Sequence, residues 1–222
     1  MTDQSAELEW RDGRVPVSTR FDDPYYSLDN GLAETRHVFL AGNDLPARFA
    51  DGFHIAELGF GTGLNLLCAL QAFRAAGTPG RLLFTSFEAF PMAPDDMIAA
   101  QGAFAELADL AAELAPHWQA GDTRIETADL DFTLITGDAR QTLPDWQGAA
   151  DAWFLDGFSP AKNPELWGAA LLAEVARHTA PGGTAATYTA AGHVRRALAE
   201  GGFTVARIPG FGRKRHMTQA TR

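Results

Sequence analysis

Four acidic residues close apolar runs in this 222-residue chain: Glu57, Glu88, Asp138 and Asp156. The first heads the segment Glu57-Leu58-Gly59-Phe60-Gly61-Thr62-Gly63-Leu64-Asn65, an acid followed by alternating glycines. Glycines at Gly59, Gly61 and Gly63 let the backbone take positive φ and approach a ligand with no Cβ in the way. Their spacing excludes two common ligand loops. A dinucleotide loop needs G-x-G-x-x-G, whereas the sixth residue counted from Gly59 is Leu64, and from Gly61 it is Leu66. A phosphate loop needs Gly-Lys followed by Ser or Thr, and this segment has no lysine. A carboxylate beside the glycines repels a pyrophosphate and favours a cation. No metal is expected, because His37, His54, His117, His178, His193 and His216 show no metal-ligand spacing. Cys68 stands alone among Leu67, Ala69 and Leu70, so it reads as a buried helix residue, and no intramolecular disulfide can form.

The acid with glycines at every second position resembles the first motif of Rossmann-like S-adenosylmethionine-dependent methyltransferases. That cofactor carries a sulfonium and an ammonium, which a nearby carboxylate attracts. Glu88 lies 25 residues beyond Gly63, about where an acid accepts hydrogen bonds from ribose hydroxyls. Asp138, followed by Ala139, is placed to contact the adenine amine. Each acid could equally cap the helix after its strand, but four in register around one glycine loop favour a cofactor pocket. The loop Asp156-Gly157-Phe158-Ser159-Pro160 is a looser form of the Asp/Asn-Pro-Pro-aromatic loop of amino-methyltransferases. Methyl transfer is an in-line displacement that depends mostly on alignment and exclusion of water. An amine nucleophile must be neutral to attack. Asp156 can orient it and accept its proton, and Phe158 can wall or stack on a planar base.

These residues need strands and helices in alternation to bring them together. The glycine segment follows a short buried strand and opens a helix over Leu64 to Phe73. Leu82 to Glu88 reads as the next strand, followed by one or two helices over Pro94 to Leu114. Arg124 to Leu130 and Asp131 to Thr136 read as strands, as does Ala152 to Asp156. Pro164 to His178 reads as a helix stopped near Pro181-Gly182-Gly183, Thr184 to Thr189 as a strand, and Ala191 to Glu200 as a helix. Phe203 to Ile208 and Arg215 to Ala220 read as a terminal antiparallel pair joined through Gly210-Phe211-Gly212. Upstream, a hairpin is expected at Asp12-Gly13, and a helix over Leu32 to Leu40 with Asp29 or Asn30 near its start. The fold class is α/β: a mostly parallel sheet with a C-terminal antiparallel strand. Residues 1–50 form an extension packed on the core, and residues 51–222 one compact methyltransferase unit.

The formal net charge is −10, but it is divided unevenly. Residues 1–150 hold 9 Lys+Arg against 23 Asp+Glu, a balance of −14, and residues 151–222 hold 9 against 5, a balance of +4. An acidic total argues against nucleic acid, yet a local basic face can still bind phosphates. Lys162, Arg195, Arg196, Arg213, Lys214 and Arg215 are the candidates for such a face. No apolar run approaches the ~18 residues of a membrane span, and Met1 to Arg20 does not read as a signal peptide, so the expected location is the cytoplasm.

The run Trp153-Phe154-Leu155-Asp156-Gly157-Phe158-Ser159-Pro160-Ala161-Lys162-Asn163-Pro164-Glu165-Leu166-Trp167 resembles the MnmD family of tRNA methyltransferases, which also form the N-terminal half of the bifunctional MnmC enzymes. The blocks Asp22 to Ser27, Asn30 to Phe39, Glu57 to Asn65, Phe87-Glu88 with Pro91, Gly137-Asp138-Ala139 and Gly210 to Met217 carry the resemblance across nearly the whole chain. It implies N-methylation of the 5-aminomethyl group on the wobble (2-thio)uridine of tRNA. It also implies Asp156 as the catalytic acid, and Glu57, Gly59, Gly61, Gly63, Asn65, Glu88 and Asp138 around the cofactor. A FAD-dependent oxidoreductase, fused or separate, is the implied partner. Ala89 departs from the lysine expected after the strand-end acid, and a stand-alone enzyme and a fragment of the fused one would look alike in this sequence. The rival readings are a small-molecule or polyamine methyl or aminopropyl transferase, which the acidic total favours, and a non-catalytic nucleotide-binding module, which the intact acids disfavour.

Overall fold

The structure, a computed structural model, describes residues 5–27 and 30–222. Three short strands come first: β1 (Leu8–Arg11), β2 (Val15–Ser18) and β3 (Asp23–Pro24). The hairpin turns at Asp12 (φ 51°) and Gly13 (φ 64°), both left-handed, and the Arg14 N–H closes the turn on the Arg11 carbonyl at 3.1 Å. Helix α1 (Gly31–Thr35) begins at Asn30, whose side chain accepts the Ala33 N–H at 2.9 Å. Asp29, the alternative start, lies outside the described residues. The helical stretch expected to Leu40 is continuous, but Arg36–Leu40 winds as a wider π turn. That turn carries Val38, Phe39 and Leu40, all buried, and such turns are insertions in otherwise α-helical stretches.

The main unit follows as β4 (His54–Leu58), α2 (Leu64–Ala75), β5 (Leu82–Glu88), α3 (Pro94–Gln101), α4 (Ala108–Ala120), β6 (Arg124–Glu126), β7 (Leu130–Thr136), α5 (Ala139–Thr142), β8 (Ala150–Leu155), α6 (Ala169–Arg177), β9 (Thr179–Thr187), α7 (Gly192–Glu200), β10 (Thr204–Pro209) and β11 (His216–Thr221). The eight strands from β4 to β11 pair in the order β10-β11-β9-β8-β4-β5-β7-β6. The five central strands run parallel, from β9 to β7. Antiparallel pairs at the two edges are made by β6 on β7 and by β11 between β9 and β10. This is the mostly parallel sheet with a C-terminal antiparallel strand that the alternation implied.

Strand pleating sorts the core onto two faces. Ile55, Phe84, Ala152 and Phe154 meet α2 and α4 through Leu66, Phe73, Leu114 and Trp118. Ala56, Leu58, Trp153 and Leu155 meet α6 and α7 through Leu172, Val175, Val194 and Leu198. Cys68 is buried in α2.

Three elements differ from the sequence expectation. The strand expected over Arg124 to Leu130 stops at Glu126, because the Thr127 hydroxyl accepts the Leu130 N–H at 3.1 Å and turns the chain into β7. The helix expected from Pro164 is broken: a 3-10 turn covers Pro164–Trp167, Gly168 is extended (ψ 146°), and α6 starts only at Ala169. Buried Trp167 holds that break, donating its indole N–H to the Phe158 carbonyl at 2.9 Å. Pro181-Gly182-Gly183 is no helix stop but a bulge inside β9, where the partner of Ala150 is Thr179 and that of Ala152 is Thr184.

A polar knot joins the segment after the π turn to the sheet. The Arg48 guanidinium donates to the Thr184 hydroxyl (2.6 Å) and to the carbonyls of Asn43 (3.1 Å), Asp151 (3.0 Å) and Gly182 (3.3 Å). The Thr184 hydroxyl in turn donates to the Asn43 side chain at 2.7 Å. Arg48→Met keeps most of the stem but strands these acceptors. It should lower unfolding stability by about 2–3 kcal/mol, the scale of hydrogen bonds to a charged donor, read as a shifted urea midpoint. An unchanged midpoint would show that solvent replaces the contacts at no cost.

Candidate active site

The site is built at the carboxyl ends of β4, β5 and β8, where ligands bind in sheets of this topology. The turn from β4 into α2 carries Gly59, Gly61 and Gly63 at φ 86°, 54° and 72°, all in the left-handed region. Gly59 is also a close approach: a Cβ there would lie 2.9 Å from the Asp156 carbonyl. Its N–H donates to the Phe87 carbonyl at 2.9 Å, so one glycine ties the ends of three strands together. From α3, the buried Gln101 amide donates to the Thr62 carbonyl at 2.9 Å and braces the loop from outside.

Below the loop, two carboxylates share one amide. Asn65 Nδ2 donates to Glu57 Oε1 at 2.7 Å and to Asp156 Oδ2 at 2.8 Å. The Ser86 hydroxyl donates to Glu57 Oε2 at 2.7 Å, and the Gly157 N–H donates to Asp156 Oδ1 at 2.8 Å. Glu57 is fully buried, and desolvation raises its carboxyl well above the usual carboxylate range despite these donors. Burial pushes Asp156 up to about 6, against the opposing pull of the Gly157 and Asn65 donors. Glu88 is also raised by burial, while its oxygens accept N–H groups from Gly61 (3.0 Å) and Phe90 (2.8 Å). Asp138 goes the other way. Hydrogen bonds from Arg140 hold its carboxyl below the usual range, and its side chain caps α5 through the Arg140 N–H at 2.9 Å.

Asn65, Glu88, Asp138 and Asp156 border a cavity of about 880 Å³. Its floor is the glycine loop and Asp156. One wall is aromatic: Phe158 stacks on Phe21 (centroids 4.8 Å, 26° between planes) and meets Tyr25 edge-on at 5.0 Å. The N-terminal segment is pinned there by Asp23, which accepts the Ser159 N–H at 2.9 Å. On the far side, the Tyr188 phenol donates to the Gly157 carbonyl at 2.7 Å.

Of the residues singled out in the sequence, Gly59, Gly61, Asn65, Glu88, Asp138, Ala139, Asp156, Phe158, Arg213 and Lys214 line this cavity, as does the variant Ala89. Glu57 lies beneath it, and Gly63 caps α2. Four basic candidates do not line it. Lys162 Nζ is held by Asp22 at 2.8 Å, Arg195 donates to the Ala190 carbonyl at 3.3 Å, and Arg196 and Arg215 are exposed. The sequence reading missed Phe21, Tyr25, Glu34 and Tyr188 as lining residues. Tyr188 follows an apolar strand, so the strand-end rule that found the acids could have found it. The other three reach the cavity only through the path of the extension.

A family model described as S-adenosyl-L-methionine-dependent methyltransferase matches residues 104–222. The tRNA 5-methylaminomethyl-2-thiouridine biosynthesis bifunctional protein MnmC of Pseudomonas paraeruginosa is 47% identical over 98% of this chain and 35% of its own length. The protein of the same name from Caulobacter sp. (strain K31) is 47% identical over 99% of this chain and 39% of its own length. The chain thus spans little more than a third of these curated relatives. Among solved structures, MnmC2 from Aquifex aeolicus superposes with a TM-score of 0.75 at 28% identity, covering 97% of this chain and 70% of that one. TrmN from Thermus thermophilus, at 17% identity and a TM-score of 0.51 over 82% of this chain and 47% of its own, shares the fold. With its glycine loop, its strand-end acids and this match over more than half its length, the chain belongs to the S-adenosyl-L-methionine-dependent methyltransferase family, and S-adenosyl-L-methionine is its cofactor.

Proposed function

We propose that this enzyme methylates the amine of a 5-aminomethyl group on the wobble (2-thio)uridine of tRNA. The observation that carries the reading is Asp156: a carboxylate at the cavity floor, fixed by two donors and raised to about 6. It faces a cavity walled by stacked aromatics that suit a planar base. The names of the MnmC relatives support the same substrate.

The cofactor supplies the methyl group on its sulfonium. Glu88 suits the ribose hydroxyls: each of its oxygens already accepts a backbone N–H and keeps a second lone pair free. Asp138 and Ala139 border the adenine end, and Glu57 with Asn65 holds the floor beneath. Asp156 has one lone pair left on each oxygen for the amine. It orients the nitrogen and takes the proton that the amine releases. Phe158, Phe21 and Tyr25 hold the base and exclude water.

Residues 51–222 form the methyltransferase unit in this reading, and residues 1–50 are an extension over the cavity. The partner is a FAD-dependent oxidoreductase, fused or separate. Arg213 and Arg215, both exposed beside the cavity mouth or just beyond it, contact tRNA phosphates, with Lys162, Arg195, Arg196 and Lys214 as further basic contacts. No described helix is long and apolar enough to cross a membrane, and we place the enzyme in the cytoplasm.

Three measurements test this reading. Radiolabelled methyl transfer into tRNA that carries the 5-aminomethyl group but not its methyl, with nucleoside analysis, should show 5-methylaminomethyl product. Asp156→Asn should cut that rate by about 10²-fold. Its pH profile sharpens the test. The carboxylate is the active form and is lost as pH falls through about 6. The wild-type log rate should therefore rise with a slope of about two below that pH and about one above it, where only the amine still titrates. The variant should keep a slope of about one throughout. An Asp156→Asn enzyme that is less thermostable yet retains its turnover would show a turn cap instead of a catalytic acid. In calorimetry, Glu88→Ala should weaken cofactor binding by about 1–3 kcal/mol, and unaltered affinity would move the ribose contact elsewhere. Replacing Arg213 and Arg215 with alanine should flatten the salt dependence of tRNA binding by about 0.7–0.9 per lost phosphate contact. An unchanged slope would remove these two from the tRNA face.

A further inference from the structure

We propose that Glu34 and Tyr188 form a subsite for the primary ammonium group of the substrate, and that Lys214 holds this subsite in the unliganded enzyme. The inference rests on the amine substrate proposed above and assigns it a second recognition group. Three observations carry it. Glu34 Oε1 accepts a hydrogen bond from Lys214 Nζ at 2.7 Å. The same ammonium sits 4.1 Å from the centroid of the Tyr188 ring. Glu34, Tyr188, Lys214 and Asp156 all line one cavity.

A carboxylate on one side and an aromatic face on the other is the chemistry that recognises an alkylammonium. The two walls are fixed, and the occupant is not. The Glu34 side chain is only 14% exposed, whereas that of Lys214 is 46% exposed. Tyr188 is held at both ends, its phenol donating to the Gly157 carbonyl at 2.7 Å and its ring packed edge-on by Trp167 at 6.2 Å. Gly157 adjoins Asp156, so the subsite and the proton acceptor share one loop. Lys214 sits between β10 and β11 on a flexible four-carbon stem and can leave its place to a substrate ammonium without disturbing the sheet.

The roles of the two acids then separate. Glu34 draws the substrate in as a cation, and Asp156 handles its proton. A carboxylate that favours the cation also opposes deprotonation, so Glu34 acts in binding and not in the chemical step.

The test is calorimetry of 5-aminomethyluridine, with uridine as the control, on wild type, Glu34→Gln and Lys214→Met. The nucleoside carries no phosphate, so any role of Lys214 toward the tRNA backbone is silent. Glu34→Gln should weaken the aminomethyl nucleoside at least about tenfold, the scale of one lost charged hydrogen bond. Lys214→Met removes the competitor and should tighten it several-fold. Neither variant should alter uridine binding. If the pair merely ties the C-terminal hairpin to α1, both variants will move affinity in the same direction, or uridine will follow the aminomethyl compound, and the subsite is refuted. No change in either variant also refutes it. Wild-type methyl transfer into tRNA that carries the unmethylated 5-aminomethyl group, run in parallel, separates the two ideas: transfer that persists while the binding test fails removes only the subsite.

Discussion

The architecture of the site turns on burying two carboxylates within reach of one amide. Glu57 and Asp156 end neighbouring parallel strands, β4 and β8, and their side chains converge on Asn65. Each burial disfavours the ionised form, and each charge disfavours the other. The arrangement holds because every oxygen has a donor: Ser86 and Asn65 for Glu57, and Asn65 and Gly157 for Asp156. Asn65 can serve both acids only from the first turn of α2. The glycine turn must therefore deliver the helix at one height and angle. Gly59 meets that demand by passing so close to the Asp156 carbonyl that no side chain fits between them. Loop, helix start and acid form one unit, and displacing any of them leaves a buried charge without its donor.

Two peripheral elements complete what the sheet begins. The extension is anchored on the core by Ala6 N–H to the Pro91 carbonyl at 3.0 Å, by the Trp10 indole to Asp96 at 3.2 Å, and by Asp23 to Ser159. Those anchors bring Phe21 and Tyr25 against Phe158. From the other end of the chain, the β10–β11 hairpin reaches back to α1 through the Lys214–Glu34 pair. The cavity is thus enclosed by segments nearly two hundred residues apart in sequence, and neither would hold its place without the parallel strands between them.

That separation explains what could and could not be read from the residues. The glycine turn was legible because its chemistry is local: three left-handed positions and an acid within a few residues. The strand-end acids were legible because apolar runs mark the strands and the sheet direction places their ends together. Glu34 was not, because nothing near it in sequence marks it as different from a solvated helix residue. Its partner Lys214 stands 180 residues away. Lys162 is the converse case. In sequence it was one of a basic set, but the fold places Asp22 beside it and pairs the two at the surface, tying the extension to this loop. The break at Gly168 was hidden for a similar reason. Propensity favours a helix through Trp167, but the indole N–H finds its acceptor only when the turn stays tight.

The charge division acquires a physical sense once the ion pairs are in place. An acidic protein that acts on a polyanion must keep its negative surface away from the approach path or neutralise it there. The acids of the first 150 residues are partly neutralised by local arginines: Arg74 takes both Glu113 and Asp129, and Arg36 takes Glu106. At the mouth of the cavity the order reverses. Glu34 is matched by Lys214, Asp138 by Arg140, and Arg213 and Arg215 are exposed with no acid paired to them among the described residues. Screening confines each surface charge to about 8–10 Å in physiological salt, so an approaching phosphate senses this local balance more than the net charge of the chain. Net acidity and binding of a polyanion are therefore compatible, provided that the basic groups stand where the substrate enters.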